Sequence, residues 1–542
     1  MRSTPSASRS PLLRAFPSLV LIALLGSALP AAAADPDPTP GLGLMEAVQL
    51  MLAHDPNLGI IEARLSSSQG SLLSASGLFD PVVQSSAAQI RTDAPASLSS
   101  RSEQRRLESS LGFTQRFRTG LSITPQVDLV RTEDLLDGTP GVNLGTVGFQ
   151  IRQPLLRGRG RAATAAVELS AERELAASRL DVRQTLSERV LTLLRQYWSY
   201  KAAALNLDIL LESESRSREL METTRRLIEA DVTPAAELVQ IEANLAAQEA
   251  SRIAGERDLF EARQSLGREI GLDYREIGAL DLPADAFPAV AASAVPAALP
   301  APSQGAPGID RYVAAALARR DDLRAARERQ QGVEALIRAA ENALKPQVDL
   351  VFRPSYTGLV EGTGLGDFYS PLFRNVPGVS SSFSLSLGWP TANRQARGSL
   401  LQTQAALAES RLFVESVAKA IGADVPTALD AVARQAQRLE KAEEAVGLYE
   451  RTVFNEERKL RAGTSTLIDV INQRDRLTAA RQQRVAAQLA LALAIADLRF
   501  QTGTLLAPAG DPANPAATAS RQDGAIEQRR LTTLPTPEEA AP

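Results

Sequence analysis

The chain has 542 residues and a net charge of −4, with no cysteine and a single histidine, His54. The missing cysteines exclude a disulfide framework, and the charge and lone histidine support neither a nucleic-acid surface nor a histidine metal site. Aromatic residues make up only 4% of the chain, and alanine, leucine, glutamine, arginine and glutamate dominate its middle, which is typical of long, thinly packed helices and coiled coils.

The first 34 residues predict a cleavable secretory signal. Three arginines precede an apolar run over 19–25, and a row of alanines ends at Ala34. That order of positive charge, apolar core and small residues is the signature of such a signal. The apolar run is shorter than the roughly 20 residues of a transmembrane helix, so we favour cleavage after Ala34 over a membrane anchor.

The mature chain is interpreted as two copies of one unit. Pro81 matches Pro346 at an offset of 265 residues, and Pro154 matches Pro390 at an offset of 236. Co-linear matches of this kind indicate an internal duplication. The change in offset leaves 29 more residues between the two prolines of the first copy.

Each copy predicts a helix, strands, a long helix, a turn and a second helix. The first copy covers 35–281, with strands over about 81–152 and a turn at 230–234. The second covers 309–506, with strands over about 346–389 and a turn at 462–466. Proline and alanine dominate the linker at 282–308, and the polar tail at 507–542 is predicted to be disordered.

Two periodicities support these elements. Apolar residues from Leu186 to Leu211 follow steps of four and three, which predicts helices packed side by side as in a coiled coil. Between Leu111 and Leu129 and between Phe383 and Trp389, apolar residues instead fall on alternate positions. That alternation predicts strands with one apolar face, which could meet a protein core or lipid.

With this organisation, two segments make the chain resemble the TolC-like outer membrane factor family, the exit ducts of efflux pumps and type I secretion systems. They are Ala-Gly-Thr-Ser-Thr-Leu-Ile-Asp-Val at 462–470 and Gln-Pro-Leu-Leu-Arg-Gly-Arg-Gly-Arg at 153–161. The resemblance implies a homotrimer whose mainly α-helical chains form a periplasmic tunnel joined to one shared 12-stranded β-barrel in the outer membrane. Each chain would contribute four strands. The extra residues around 118–120 leave an additional hairpin open.

The resemblance places the functional residues at the two turns. It implies that the tip meets a periplasmic adaptor protein through Asp231, Val232, Thr233, Gly463, Thr464, Ser465 and Thr466. It also places Asp469 and Asn472 at the pore constriction, where the family's best-studied members carry two acidic rings. Three Asp469 carboxylates would attract cations and narrow the pore, while Asn472 is neutral. Ser465 stands where those members carry a locking arginine. The alternative for Asp469 is a solvated residue favoured by the helix dipole.

No catalytic, cofactor-binding or metal-binding residue is predicted. The glycine-rich segment 158–163 matches a dinucleotide fingerprint, but its strand alternates and no parallel strand with an acidic end follows, so we interpret it as a strand-to-helix turn. The sequence thus predicts an outer membrane channel that passively passes substrates from an adaptor and an inner-membrane transporter to the exterior. Two other classes stay open, a periplasmic adaptor and an exported structural coiled coil. The cargo and the transporter class are also open.

Overall fold

The computed structural model describes residues 41–95, 101–135, 140–229, 236–288, 305–374, 378–462 and 464–506. The predicted signal, the tail and most of the linker lie outside these ranges. The chain divides into two units. The helical unit contains residues up to 63, residues 180–324 and residues from 416, and the sheet unit contains residues 64–179 and 325–415.

Eleven α-helices occur within the described ranges. They are α1 (Leu44–His54), α2 (Pro56–Ser76), α3 (Arg161–Thr164), α4 (Ala166–Glu229), α5 (Ala236–Ile270), α6 (Tyr274–Gly278), α7 (Gly305–Arg319), α8 (Asp321–Ala343), α9 (Leu365–Tyr369), α10 (Arg394–Arg461) and α11 (Leu467–Gln501). Helix α10 continues through Pro426. None of the helices in the described ranges is long and apolar enough to cross a membrane.

The core of the helical unit contains the apolar side chains that the helical period predicted. Leu186, Val190, Leu193 and Tyr197 of α4 are all buried, and they cluster with residues of α1, α5 and α11. The Tyr197 hydroxyl donates to the backbone oxygen of Leu42 at 2.9 Å and to the Asp285 carboxylate at 2.6 Å. The chain before α1 and the chain after α6 are therefore both fastened to α4.

An ion pair fixes the junction between α1 and α2 in the same unit. The Asp55 carboxylate accepts from Arg189 Nε at 2.7 Å and from the Asn57 backbone N–H at 2.9 Å. The second contact satisfies a backbone donor in the first turn of α2 that has no partner within the helix. Arg189 also lies 3.1 Å from Glu269 of α5, so α2, α4 and α5 meet at this cluster.

The sheet unit contains one six-stranded antiparallel sheet with its strands in chain order. The strands are β1 (Val82–Pro95), β2 (Arg101–Arg116), β3 (Ser122–Asp134), β4 (Val142–Pro154), β5 (Gln347–Glu361) and β6 (Val379–Gly388). Both halves contain two helices, then strands, then a long helix and a further helix, but the first half has four strands, whereas the second has two with the short helix α9 between them.

Six strands correct the number of four that the family resemblance implied. The alternation over 111–129 extends across two strands, β2 and β3, and a tight turn at 117–121 reverses the chain between them. In that turn the Gly120 N–H donates to the Phe117 oxygen at 2.9 Å. Gly120 has a φ of +95°, and a Cβ there would lie 2.1 Å from the Gly158 oxygen, so only glycine fits. The extra residues of the first half are therefore an additional hairpin.

Candidate functional site

The second tip turn, between α10 and α11, is closed by a capping box. Thr466 is the N-cap of α11, with φ −97° and ψ 159°. Its hydroxyl accepts from the Asp469 backbone N–H at 3.3 Å, and the Asp469 carboxylate accepts from the Thr466 N–H at 3.2 Å and from the Thr466 hydroxyl at 2.5 Å. These bonds satisfy backbone donors that a helix start leaves without partners. They also lower the pKa of Asp469, the Thr466 side chain contributing most.

The other side of this turn is joined to α10. The Ser465 hydroxyl donates to Glu456 at 2.5 Å, and Lys459 lies 3.0 Å from the same carboxylate. The Thr464 N–H donates to the Lys459 oxygen at 3.0 Å. The Ser465 bond, followed by the Lys459 bond, lowers the pKa of Glu456. Ser465 therefore has a specific partner within its own hairpin at the position where the resemblance implied a locking arginine.

Asp469 and Asn472 are both exposed and lie three residues apart on α11, so they share one side of that helix. Val470 and Ile471 between them are buried, at 1% and 6% exposure. The helix thus directs its apolar residues inward and the two predicted pore residues outward. Asp231, Val232, Thr233 and Gly463 lie outside the described residues.

The sheet has two faces of opposite character, which its register defines. Val83 pairs with Phe113, Leu111 with Val127, Val127 with Val147, Val147 with Tyr356, and Phe352 with Phe383. Directly paired residues lie on the same side of a sheet, so these side chains form one surface, the apolar face. The Phe352 and Phe383 rings stack there with centroids 4.3 Å apart.

The opposite surface, the polar face, is lined by hydroxyls that bond between neighbouring strands. Ser86 lies 2.8 Å from Ser110, Thr114 lies 3.1 Å from Thr124, and Thr146 lies 3.2 Å from Thr357. Serines 380, 382, 384 and 386 continue this face along β6. In soluble sheets the apolar face is covered by a core. Here Leu111 and Phe149 of the apolar face are 53% and 51% exposed, and Phe383 of β6 is 71% exposed.

Comparison with known proteins finds both a family match and structural matches. Residues 313–504 match the family model of the outer membrane efflux protein. The matched residues lie within the predicted second copy, and they include α10, the tip turn at 464–466 and α11.

Solved outer-membrane channels share the fold of most of the chain. The outer-membrane channel OprN matches with a TM-score of 0.62 at 18% identity, covering 85% of this chain and 89% of its own. VceC from Vibrio cholerae matches with a TM-score of 0.60 at 16% identity, covering 85% and 96%. CmeC from Campylobacter jejuni matches with a TM-score of 0.62 at 13% identity, covering 96% and 98%. No curated protein sequence matches the chain. The resemblance to TolC-like outer membrane channels is therefore confirmed.

The segment that matches the family model also contains polar residues that sequence reasoning missed. In the helical unit, the Asp475 carboxylate of α11 accepts from Gln248 at 3.0 Å and from Asn244 at 3.3 Å, both on α5. Burial raises the pKa of Asp475. The Thr478 and Ser213 hydroxyls, on α11 and α4, lie 3.2 Å apart. A neutral acid or a carboxylate can both accept these amide bonds.

A second missed residue, Arg481, connects three helices. Its guanidinium lies 2.8 Å from Glu212 of α4 and 2.9 Å from Glu450 of α10, and the side chain is only 20% exposed. Ile471, Asp475 and Thr478 follow the steps of four and three that normally carry apolar residues in such helices. We define Asp475, Thr478 and Arg481 with their partners as the polar seam. The polar side chains at positions 475 and 478, where apolar residues are expected, are the sequence signal that could have located it.

Proposed function

We propose that the chain is the outer membrane channel of a tripartite efflux pump or a type I secretion system, acting as a homotrimer. In this proposal the sheet unit spans the outer membrane, the helical unit extends into the periplasm, and substrates pass by passive conduction. The observation that carries it is the two-faced sheet in a chain whose residues 313–504 match the outer membrane efflux protein model. The similar order of elements in the two halves also supports an origin by duplication.

An apolar face suits lipid, because a membrane-spanning sheet turns alternate residues toward hydrocarbon and toward a polar interior. A periplasmic adaptor or an exported coiled coil would not need such a face. The family match also favours a channel over both alternatives and over an enzyme. The proposal predicts a protein of the outer membrane fraction that is a trimer in detergent and conducts ions in planar bilayers. A soluble monomer without conductance would overturn it.

The lipid assignment has a matched test in two neighbouring residues of β6. Leu385 lies on the apolar face at 66% exposure, whereas Ser384 lies on the polar face. Leu385→Arg should cost about 2–4 kcal/mol near the bilayer centre, because its charge would enter lipid. Ser384→Arg should be tolerated, because its charge would meet water. Loss of membrane-assembled protein in the Leu385 variant alone supports the assignment, and equal behaviour of the two variants contradicts it.

We also propose that the tip turns contact the adaptor, through Thr464, Ser465 and Thr466 and through Asp231, Val232, Thr233 and Gly463. Thr464 is exposed, and its backbone is held by the Lys459 oxygen, so the turn presents a fixed surface. A photo-crosslinking amino acid at position 464 should capture a periplasmic protein in intact cells. The same probe at Glu409 in the sheet unit, also exposed, is the control. Capture from position 409 and not from 464 would place the contact elsewhere.

The pore assignment of Asp469 and Asn472 completes the proposal. Both side chains point away from the buried face of α11, which suits a ring around a pore axis. The capping bonds of Asp469 hold its carboxylate ionised by lowering its pKa. A threefold ring would therefore carry three negative charges at neutral pH, and conduction would proceed when the tip opens like an iris.

A further inference from the structure

The sheet ends in two strands whose outer edges have no partner among the described residues. Strand β1 pairs only with β2, and β6 pairs only with β5. Every residue of β6 is exposed, and so is β1 from Val82 to Asp93. Each edge therefore presents a row of free backbone N–H and C=O groups along 10 or 14 residues. Unsatisfied backbone groups of this kind are costly in a membrane.

Most of each edge lacks the features that keep edge strands from pairing in soluble proteins. Such edges usually contain lysine, proline or inward-pointing charges. Strand β6 contains no charged residue and no proline, and its Phe383, Leu385 and Leu387 are between 66% and 71% exposed. Strand β1 has such residues, the charged Arg91 and Asp93 and the proline Pro95, only in its last five positions, at the end away from α2. The two edges are therefore suited to pairing with another strand.

The geometry of the sheet shows which strand that is. Because six strands alternate in direction, β1 and β6 run in opposite directions. Thus β6 of one copy can pair antiparallel with β1 of a second copy while both copies point the same way. The faces must also match. Odd-numbered residues of β6 and of β1 lie on the apolar face. A continuous apolar surface therefore requires residues of like parity to lie opposite one another.

We propose that three copies of this chain close one barrel of 18 strands through contacts between β6 and β1, instead of the 12 strands that the family resemblance implied. Six strands are fewer than the smallest single-chain membrane barrels contain, so one copy cannot close alone. The number of copies rests on the proposed function. At a spacing of about 4.8 Å and a tilt of about 40°, 18 strands enclose a backbone diameter of about 36 Å, against about 24 Å for 12. The exit is then about 1.5 times wider.

Introduced cysteine pairs can test the contact between β6 and β1 without cross-links from native thiols, because the natural chain has no cysteine. Ser86→Cys on the polar face of β1 is combined in turn with Ser380→Cys, Ser382→Cys, Ser384→Cys and Ser386→Cys on the polar face of β6. Disulfides need Cβ atoms within about 4.5 Å, so one combination should cross-link strongly and the others weakly. Each copy supplies both edges, so the product should be a closed ring of three chains on a denaturing gel.

Two controls isolate the edge and the register. Ala87→Cys with the same four serine variants places the thiols on opposite faces and should not cross-link. Thr146→Cys lies on the polar face of the interior strand β4 and should not cross-link with β6 either. A ring that closes at two chains, a product from a β6 variant alone, or no product from any pair in a conducting trimer would each overturn the 18-stranded barrel. Absence of cross-links in a conducting trimer would leave the proposed channel function intact, whereas a soluble monomer would contradict the proposed function itself.

Discussion

Arg481 provides a direct test of the proposed opening of the tip. It contacts Glu212 of α4 at 2.8 Å and Glu450 of α10 at 2.9 Å from its own position on α11. The two glutamates are 47% and 48% exposed, so solvent screens each pair. Partly exposed pairs contribute up to about 1 kcal/mol each, so Arg481→Met should remove about 1–2 kcal/mol while keeping most of the apolar stem.

If opening separates the helices that Arg481 joins, this loss falls on the closed state. Because 1.4 kcal/mol corresponds to a factor of ten, the ratio of open to closed channels should rise about tenfold. Single-channel recordings in planar bilayers measure the open fraction directly. Arg434→Met is the matched control, because within the described part of the chain Arg434 pairs only along its own helix, with Asp430 at 3.2 Å, and is 71% exposed.

An open fraction that changes less than about twofold in the Arg481 variant would refute this role, and so would an equal rise in the Arg434 variant. Glu212→Gln and Glu450→Gln should each give part of the effect. Combined with Arg481→Met they should add little, because each pair is already broken in the arginine variant.

Three further predictions follow from the same unit. Asp469→Asn should weaken block of the channel by divalent cations about tenfold, because a ring of like charge concentrates counter-ions. Thr466→Val removes the capping hydroxyl but keeps the Asp469 charge, so it should leave the block unchanged. An equal weakening of block in both variants would mean that the capping bonds, and not the charge, are responsible. The raised pKa of Asp475 means that its folded form holds a proton at pH values where the unfolded chain has lost it. Its stability contribution should therefore fall as pH rises from the ordinary value of 3.8 through the raised one, and Asp475→Asn should abolish that slope in thermal unfolding at a series of pH values. Tyr197→Phe loses the bonds to Leu42 and Asp285 and should cost about 1–3 kcal/mol in the unfolding free energy; an unchanged melting midpoint would contradict it.

Local periodicity explains which parts of the structure could be predicted from sequence. The steps of four and three that begin at Leu186 correspond to a buried face of α4, and the alternation around Leu111 corresponds to strands with one apolar surface. Both patterns are properties of a single element, so sequence alone contains them. The tip turn was also predictable, because Thr466 and Asp469 have the spacing of a capping box.

Contacts between distant segments were not predictable in the same way. Asp475 and Asn244 are 231 residues apart, and Arg481 and Glu212 are 269 residues apart. Polar residues at apolar places of α11 show that something polar must lie opposite, but the sequence does not name the partner. The partner of Ser465 was not predictable either. The sequence showed only that Ser465 stands where an arginine was expected, and its bond to Glu456 became visible only in the folded turn.

The strand number failed for a different reason, because it was taken from the family and not from the alternation itself. An added hairpin is the change that a two-faced sheet tolerates most easily. Two inserted strands leave β4 running in its original direction, whereas a single strand would reverse it and everything that follows. The register also keeps Val83 of β1 and Val147 of β4 on the apolar face on either side of the added strands. At the turn of the hairpin, Arg118 lies 2.5 Å from Glu168 at the start of α4. The sheet can therefore widen by two strands while the helix that follows it keeps both its direction and its anchor.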